Sequence, residues 1–211
     1  MIHQGSLETY QYISDWIHPD FPFSRRDGWD RFGILGVLGD FIIPCTYGDI
    51  LEIGIGESTV YFVKLAQKYN RKVYHCDVQQ SVFENAKTVE GYFGNNSILF
   101  IGSSDRLFNE ITLTPIALGF IDGDHTYEQA KKDFYNLLPY VVDDGYILLH
   151  DTYPTDESYL SENRCGEVYK LRQEIEKDKR FDCLTIPRGV AMDVGFSIVR
   201  KKPPQLSYYN E

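Results

Sequence analysis

Short apolar runs alternate along this 211-residue chain with stretches whose apolar residues recur at helical spacing. The short runs are typical of buried strands, and the spaced stretches are typical of amphipathic helices. The pattern predicts strands over residues 49–54, 71–77, 97–101, 115–121, 145–150, 181–187 and 193–201, and helices over 58–69, 81–90, 104–110, 126–138 and 166–179. Strands that alternate with helices predict a parallel sheet with helices on both faces.

The first 47 residues do not follow this alternation. Apolar residues at helical spacing predict a short helix before Pro19 and a second helix over residues 33–43. The loop between them carries Arg25, Arg26 and Arg31, which either clamp an anionic substrate group or face solvent. We interpret this segment as a cap over the substrate pocket, with a packing arm or a dimer contact as the alternative. The predicted organisation is a cap over 1–47, a central domain over 48–201 and a loose tail over 202–211.

Charge and composition narrow the classes of partner. The formal net charge of -10 argues against nonspecific nucleic-acid binding, which needs a basic surface, and against docking on anionic membranes. No apolar stretch reaches the roughly 18 residues that span a bilayer, and the N-terminus has no signal-peptide pattern. The four cysteines form no Cys-x-x-Cys motif. We expect a cytoplasmic protein with reduced cysteines.

Residues 48–59 read as a strand, a glycine turn and the start of a helix that Ser58 or Thr59 can cap. Gly54 and Gly56 allow a sharp turn and let a ligand approach backbone N–H groups, and the helix N-terminus favours an anionic ligand group. Thr59 occupies the third glycine position of a dinucleotide fingerprint, so the turn is a weak signal for NAD. The alternative is an ordinary turn that follows a strand-end charge at Glu52.

Further polar residues stand where the other predicted strands end, the edge at which parallel sheets bind ligands. Asp77 ends the second strand and could accept both hydroxyl groups of a ribose, as found in NAD and in other nucleoside cofactors. Ser103 and Ser104 follow the third strand, where the alternative is a helix N-cap.

The most informative segment follows the fourth strand and carries Asp122, Asp124 and His125, while the next strand ends at His150 and Asp151. Asp122 and Asp151 would converge, and their carboxylate oxygens would suit Mg²⁺. Such an ion would lower the pKa of a substrate hydroxyl, and Asp124 or His125 could take its proton. The alternative is that Asp124 and His125 cap the next helix and that Asp151 bonds loop amides.

Two motifs resemble a known family. Glu-x-Gly-x-Gly at residues 52–56 resembles the first motif of class I S-adenosyl-L-methionine (SAM) methyltransferases, in which the acidic residue can receive the ammonium of the methionine part, directly or through water. Asp-Gly-Asp-His-x-Tyr at 122–127 and Gly-Tyr-Ile-Leu-Leu-His-Asp-Thr at 145–152 resemble the branch that includes macrocin-type sugar O-methyltransferases and relatives of cephalosporin-biosynthesis enzymes. The resemblance covers about residues 48–152.

The resemblance implies an α/β, Rossmann-like, doubly wound seven-stranded sheet that is mostly parallel with an antiparallel last strand. It implies metal binding by Asp122 and Asp151, with His150 where metal-dependent members often carry an acid, and it places Asp124 as the base with His125 beside the cofactor. The candidate SAM contacts are Glu52, Gly54, Gly56, Glu57, Ser58, Asp77, Ser103, Ser104 and Asp122.

The predicted function is SAM-dependent methyl transfer, with O-methylation of a small-molecule hydroxyl and optional Mg²⁺. The alternatives are an NAD(P)-dependent oxidoreductase or epimerase and a non-catalytic SAM-binding module. We expect a small-molecule acceptor, no nucleic-acid or membrane partner, and a possible homodimer.

Overall fold

A computed structural model of the chain describes residues 32–87, 93–161, 164–187 and 194–202. The predicted helix before Pro19, the three arginines of the first loop and the tail beyond residue 202 lie outside the described residues. The predicted cap and the division of the chain into three parts therefore stay predictions.

Within the described residues, seven strands form one sheet in the order β3-β2-β1-β4-β5-β7-β6. Neighbours among the first five strands in this order are parallel, whereas β7 runs antiparallel to both β5 and β6. This arrangement confirms the predicted fold class, including the antiparallel last strand. The strands are β1 (Asp49–Ile53), β2 (Val73–Asp77), β3 (Ser97–Ile101), β4 (Ile116–Ile121), β5 (Val141–His150), β6 (Phe181–Ile186) and β7 (Phe196–Lys201).

The described helices follow the predicted spacing. They are α1 (Gly33–Ile42), α2 (Thr59–Tyr69), α3 (Gln80–Lys87), α4 (Ser104–Glu110), α5 (Tyr127–Leu137) and α6 (Val168–Lys177). The α5 helix begins after Thr126, whose side chain accepts a hydrogen bond from the backbone N–H of Gln129. The α2 helix ends at Asn70, which has a left-handed φ of 51°. None of these described helices is long and apolar enough to cross a membrane.

Apolar side chains are buried on both faces of the sheet. Leu51 of β1 packs in the cluster that contains Phe134 of α5 and Leu171 of α6, whereas its neighbour Ile50 packs with Phe62 of α2 on the other face. All six residues of β4 are buried. A strand covered on both faces reads as a continuous apolar run, which is why β4 was recognisable without alternation.

The main difference from the predicted boundaries is the start of β5. It begins at Val141, four residues before the predicted strand, because Val141 and Val142 are buried and Val141 pairs with Ile116. A register shift between Ile116 and Leu118 accommodates the extra residues.

Phe134→Ala is expected to lower the free energy of unfolding by about 3 to 5 kcal/mol. The ring is fully buried and packs edge-on against Phe181 with 5.4 Å between ring centroids. Leu184→Ala is the control, because Leu184 is 61% exposed on β6, and its change should stay within about 0.5 kcal/mol. Urea denaturation measures both variants, and equal losses would contradict the described core.

Candidate functional site

A close backbone contact joins the turn after β1 to the end of β4. Gly54 has a φ of +91°, and a Cβ on it would lie 2.1 Å from the carbonyl oxygen of Asp122. The Asp122 N–H donates to the carbonyl of Ile53 at 2.9 Å. At Gly56, by contrast, a Cβ would meet no described atom within 4 Å. Gly54 is therefore required by packing, whereas Gly56 leaves space beside the turn for a ligand.

The carboxylate of Glu52 is fully buried behind this turn. Its Oε1 accepts from the Ser58 hydroxyl at 2.5 Å, and its Oε2 accepts from the Thr59 hydroxyl at 2.9 Å. The Nδ1 of His75 lies 2.6 Å from the same Oε2. Because a side chain with no exposed surface cannot touch a ligand in this conformation, the structure does not favour the predicted direct contact between Glu52 and the cofactor ammonium.

The side chains of Ser58 and Thr59 make different contacts at the start of α2. Ser58 occupies the N-cap position, but its side chain makes no capping hydrogen bond and is buried against Glu52. The Thr59 hydroxyl instead accepts from the Gly56 N–H at 3.2 Å. Of the two predicted candidates, Ser58 therefore does not cap the helix with its side chain, and Thr59 is the one whose hydroxyl contacts the glycine turn.

Asp77 ends β2 directly beside the turn. One carboxylate oxygen accepts from the Ile55 N–H at 3.0 Å, and the other accepts from the Gln79 N–H at 2.8 Å. The side chain is half-buried. Asp77 therefore lies at the strand end where a ribose-binding carboxylate is predicted, and its hydrogen bonds also stabilise the turn.

The two serines after β3 have different surroundings. Ser103 is the N-cap of α4 and accepts from the Arg106 N–H at 3.4 Å, so the alternative interpretation as a cap is realised at Ser103. Ser104 is buried, and its hydroxyl donates to Asp133 Oδ1 at 2.5 Å. Gln129 Nε2 donates to the same oxygen at 2.8 Å. The hydroxyl of Ser104 is therefore bound to α5, and Ser103 is the better candidate for a cofactor contact.

Asp133 is a buried acid that the sequence analysis did not single out. The pKa of Asp133 is raised to about 6. The main cause is burial, to which the nearby Asp105 carboxylate adds, while hydrogen bonds from Ser104 and Gln129 act in the opposite direction. Its signal in the sequence is weak, because an acid in an amphipathic helix normally faces solvent.

Four ionisable side chains meet at the ends of β4 and β5. His150 Nδ1 lies 2.9 Å from Asp122 Oδ1 and 3.3 Å from Asp151 Oδ1. His125 Nε2 lies 3.1 Å from Asp151 Oδ2 and 3.9 Å from Asp122 Oδ1. The predicted convergence of Asp122 and Asp151 is therefore present in the structure, and both histidines lie between the two acids.

The acids and histidines of this cluster shift one another's pKa values. Burial by itself would lower the pKa of His150, but Asp122 and then Asp151 raise it to about 10. Burial would likewise raise the pKa of Asp122, but His150 and His125 lower it to about 2. An imidazolium at residue 150 and a carboxylate at residue 122 are the forms that these shifts favour near neutral pH.

Asp124 lies apart from this cluster. It is exposed, and its Oδ1 accepts from the Thr126 N–H at 2.7 Å, immediately before α5. Hydrogen bonds from the side chain and backbone of Thr126 lower the pKa of Asp124. A more acidic carboxyl group is a weaker base, and this geometry agrees with the alternative role of Asp124 before the helix.

The segment before α6 holds His125 in place. The Glu167 N–H donates to the His125 carbonyl at 2.7 Å. Gly166 has a φ of +50°, and a Cβ on it would lie 2.3 Å from that carbonyl oxygen. The predicted helix began at residue 166, whereas the described helix begins at Val168, and no local signal in the sequence links Gly166 to His125.

The side chains at the predicted magnesium site differ from the oxygen ligands that Mg²⁺ prefers. Asp122, His125 and Asp151 each offer a ligand atom, and these atoms lie within 4.8 Å of one another. One of the three donors is an imidazole nitrogen, which suits first-row transition ions better than Mg²⁺. His150, the third predicted ligand, directs Nδ1 at the Asp122 carboxylate instead. The residues present fit Mg²⁺ poorly.

A family model described as a methyltransferase domain matches residues 51–152, which span β1 to the end of β5 and include Asp77, Asp122 and Asp151. This part of the chain is therefore similar to a methyltransferase domain. The match confirms the predicted enzyme class, a SAM-dependent methyltransferase, whereas the macrocin-type branch stays a prediction. A search of curated protein sequences finds no significant match.

Solved structures with the same fold include other methyltransferases. Cofactor-bound Rv0187 from MTB has 17% identity and a TM-score of 0.66, with 95% of this chain and 91% of that chain covered. A protein from Staphylococcus aureus proposed to be a caffeoyl-CoA O-methyltransferase has 17% identity and a TM-score of 0.65, with 93% and 91% covered. An rRNA methylase from Streptococcus thermophilus has 13% identity and a TM-score of 0.57, with 83% and 99% covered. At these identities the likeness shows the fold.

Asp133→Asn is expected to change the pH dependence of stability. The folded-state pKa of Asp133, about 6, lies above the ordinary pKa of 3.8. The stability that Asp133 contributes is therefore fully present below pH 3.8, and it is lost as the pH rises through the folded-state pKa. The stability of the wild type minus that of the variant should therefore fall by about 2 to 3 kcal/mol between about pH 4 and pH 7.5. Urea unfolding across this range measures the difference, and parallel profiles would contradict it.

Proposed function

We propose that this methyltransferase transfers the methyl group of SAM to a hydroxyl of a small molecule, at the edge formed by the carboxyl ends of β2, β1, β4 and β5. The observation that supports this proposal is the strand register. Ile53 pairs with Cys76 of β2 and with Ile121 of β4, and Ile121 pairs with Leu149 of β5. The next residue on each strand is Gly54, Asp77, Asp122 or His150, so these four positions lie at one level of the sheet.

On the cofactor side, the turn at Gly54 and Gly56 would accept the methionine part, with Glu57 and Ser58 at the start of α2. Asp77 would accept hydrogen bonds from the ribose hydroxyls, because its carboxylate is half-buried at the strand end. Ser103, with Ser104 behind it, would lie beside the adenine, and Asp122 would separate the cofactor from the acceptor. Glu52 would act indirectly by fixing Ser58 and Thr59.

On the acceptor side, His125 is the proposed base and Asp151 is the residue that orients it. SAM supplies a methyl group on a positively charged sulfur. As the acceptor oxygen forms its bond to the methyl carbon, its proton passes to His125, the carbon–sulfur bond breaks, and a neutral thioether leaves. A carboxylate 3.1 Å from His125 Nε2 stabilises the imidazolium that forms. The exposed Asp124 is a weaker candidate than the sequence analysis implied.

Magnesium has no part in this proposal. The imidazole of His125 replaces an oxygen donor, and the Nδ1 of His150 contacts both carboxylates that would bind the ion. The acidic charge of the chain favours a small-molecule acceptor over a nucleic acid. The cytoplasmic location and the homodimer stay predictions.

Binding of SAM separates this proposal from an NAD(P)-dependent enzyme. SAM or its demethylated product should raise the melting temperature of the wild type, and NAD should not. Asp77→Asn should weaken SAM binding about tenfold, because it removes the charge and one acceptor beside the turn. Asp49→Asn is the control, since Asp49 is also half-buried on β1 and accepts from the Lys72 N–H. Titration calorimetry measures both affinities, and stabilisation by NAD alone would overturn the proposal.

Catalysis separates an enzyme from a non-catalytic SAM-binding module. His125→Asn should lower turnover at least about 100-fold with little change in SAM affinity, because general-base catalysis is lost. Asp124→Asn is the control, since asparagine can still accept from the Thr126 N–H, and its loss should stay below about tenfold. The assay measures the demethylated cofactor with sugar, phenol and peptide hydroxyl acceptors, with EDTA or added Mg²⁺. Failure with every acceptor would contradict catalysis, and loss of turnover in EDTA that Mg²⁺ restores would contradict the metal-free mechanism.

A further inference from the structure

We propose that His75 of β2 is a positioning residue for the cofactor turn, acting through Glu52 on the first residues of α2. This inference rests on the proposed binding of SAM at the turn. It assigns a role in affinity to a side chain that has no exposed surface.

The first step is the contact between two polar residues in neighbouring buried strands. Glu52 of β1 and His75 of β2 are partners in the parallel register, and both side chains are completely buried. His75 Nδ1 lies 2.6 Å from Glu52 Oε2. Since this oxygen already accepts from Thr59, the complementary arrangement has His75 donating through Nδ1. Among the described residues, the buried Nε2 has no hydrogen-bond partner, so the contact with Glu52 is the polar interaction that accounts for a histidine here.

The second step links Glu52 to the backbone of the turn. Its two oxygens accept from the hydroxyls of Ser58 and Thr59, and the Thr59 hydroxyl accepts from the Gly56 N–H at 3.2 Å. A continuous series of hydrogen bonds therefore runs from His75 to an amide of the glycine turn. Without the imidazole donor, a buried carboxylate would keep only two hydroxyl donors, and it would be driven to move toward other donors or water.

The third step concerns binding. The open space beside Gly56 would receive the cofactor. The buried Ser58 and Thr59 hold this part of the turn from behind, whereas Asp77 fixes the turn from the open side through Ile55. A turn that is already held in its binding geometry loses less conformational entropy when the ligand arrives. Loss of the His75 donor should therefore reduce affinity for the cofactor beyond any effect on folding.

The test compares two replacements of similar size. His75→Asn places an amide N–H near the position of Nδ1, whereas His75→Leu fills the same space without a donor. Val73→Ala is the control for a buried change in the same strand, since Val73 is fully buried and packs with the cluster on the α2 face. Titration calorimetry with the demethylated cofactor measures affinity at a temperature at which circular dichroism shows each variant folded.

His75→Leu should raise the dissociation constant about tenfold or more, the loss expected for a hydrogen bond to a charged group. His75→Asn should stay within about threefold of the wild type, and Val73→Ala should lose stability without losing affinity. Wild-type affinity in His75→Leu, or an equal loss in the asparagine and leucine variants, would overturn the role of His75. If His75→Leu does not fold, His75→Gln replaces it, because its longer amide misses the Nδ1 position, and it should show the same weakened binding. Absence of binding by the wild type would instead overturn the proposed function.

Discussion

The contact between the backbones of Gly54 and Asp122 sets the geometry of the whole site. A Cβ at residue 54 would lie 2.1 Å from the Asp122 carbonyl oxygen, so only glycine allows β1 and β4 to end side by side. Because these two strands are the centre of the sheet, their shared end also places β2 and β5 at the same level. The acids and histidines of four strands meet there as a consequence of backbone packing, before any side chain interacts with another.

Among the described residues, the buried carboxylates at and behind this edge contact histidines. The carboxylates of Asp122 and Asp151 face His125 and His150, and the carboxylate of Glu52 faces His75. The described lysine and arginine pairs lie elsewhere, for example Lys131 with Glu174 and Arg172 with Glu176 on the helices. Imidazole is a compact partner that can be buried with a carboxylate at little cost in side-chain entropy, whereas long cationic side chains suit the exposed helix surfaces.

The fold could be predicted from the sequence because the apolar runs and their spacing carry it directly. The strand from 97 to 101 and the helix from 104 to 110 were placed correctly to the residue, since a glycine ends the apolar run and a serine precedes the helix. The convergence of Asp122 and Asp151 followed from the rule that parallel strands end at one edge. The contacts that the sequence analysis missed depend on strand register or join segments that are distant along the chain. The pairing of Glu52 with His75, the burial of Ser104 against Asp133 and the support of His125 by Gly166 each join segments whose alignment the sequence does not specify.

Asp151 shows how such a site constrains the rest of the protein. Its φ of 57° lies in the left-handed region, which side chains with a Cβ enter at a cost of about 1 kcal/mol or more. Its carboxylate nevertheless faces both His125 and His150. Glycine would relax this backbone, but it would remove one of the two carboxylates that His125 and His150 share. If Asp151 orients the base as proposed, the residue that suits the backbone best at this position is not the residue that suits the reaction, and selection for thermal robustness alone would favour its loss.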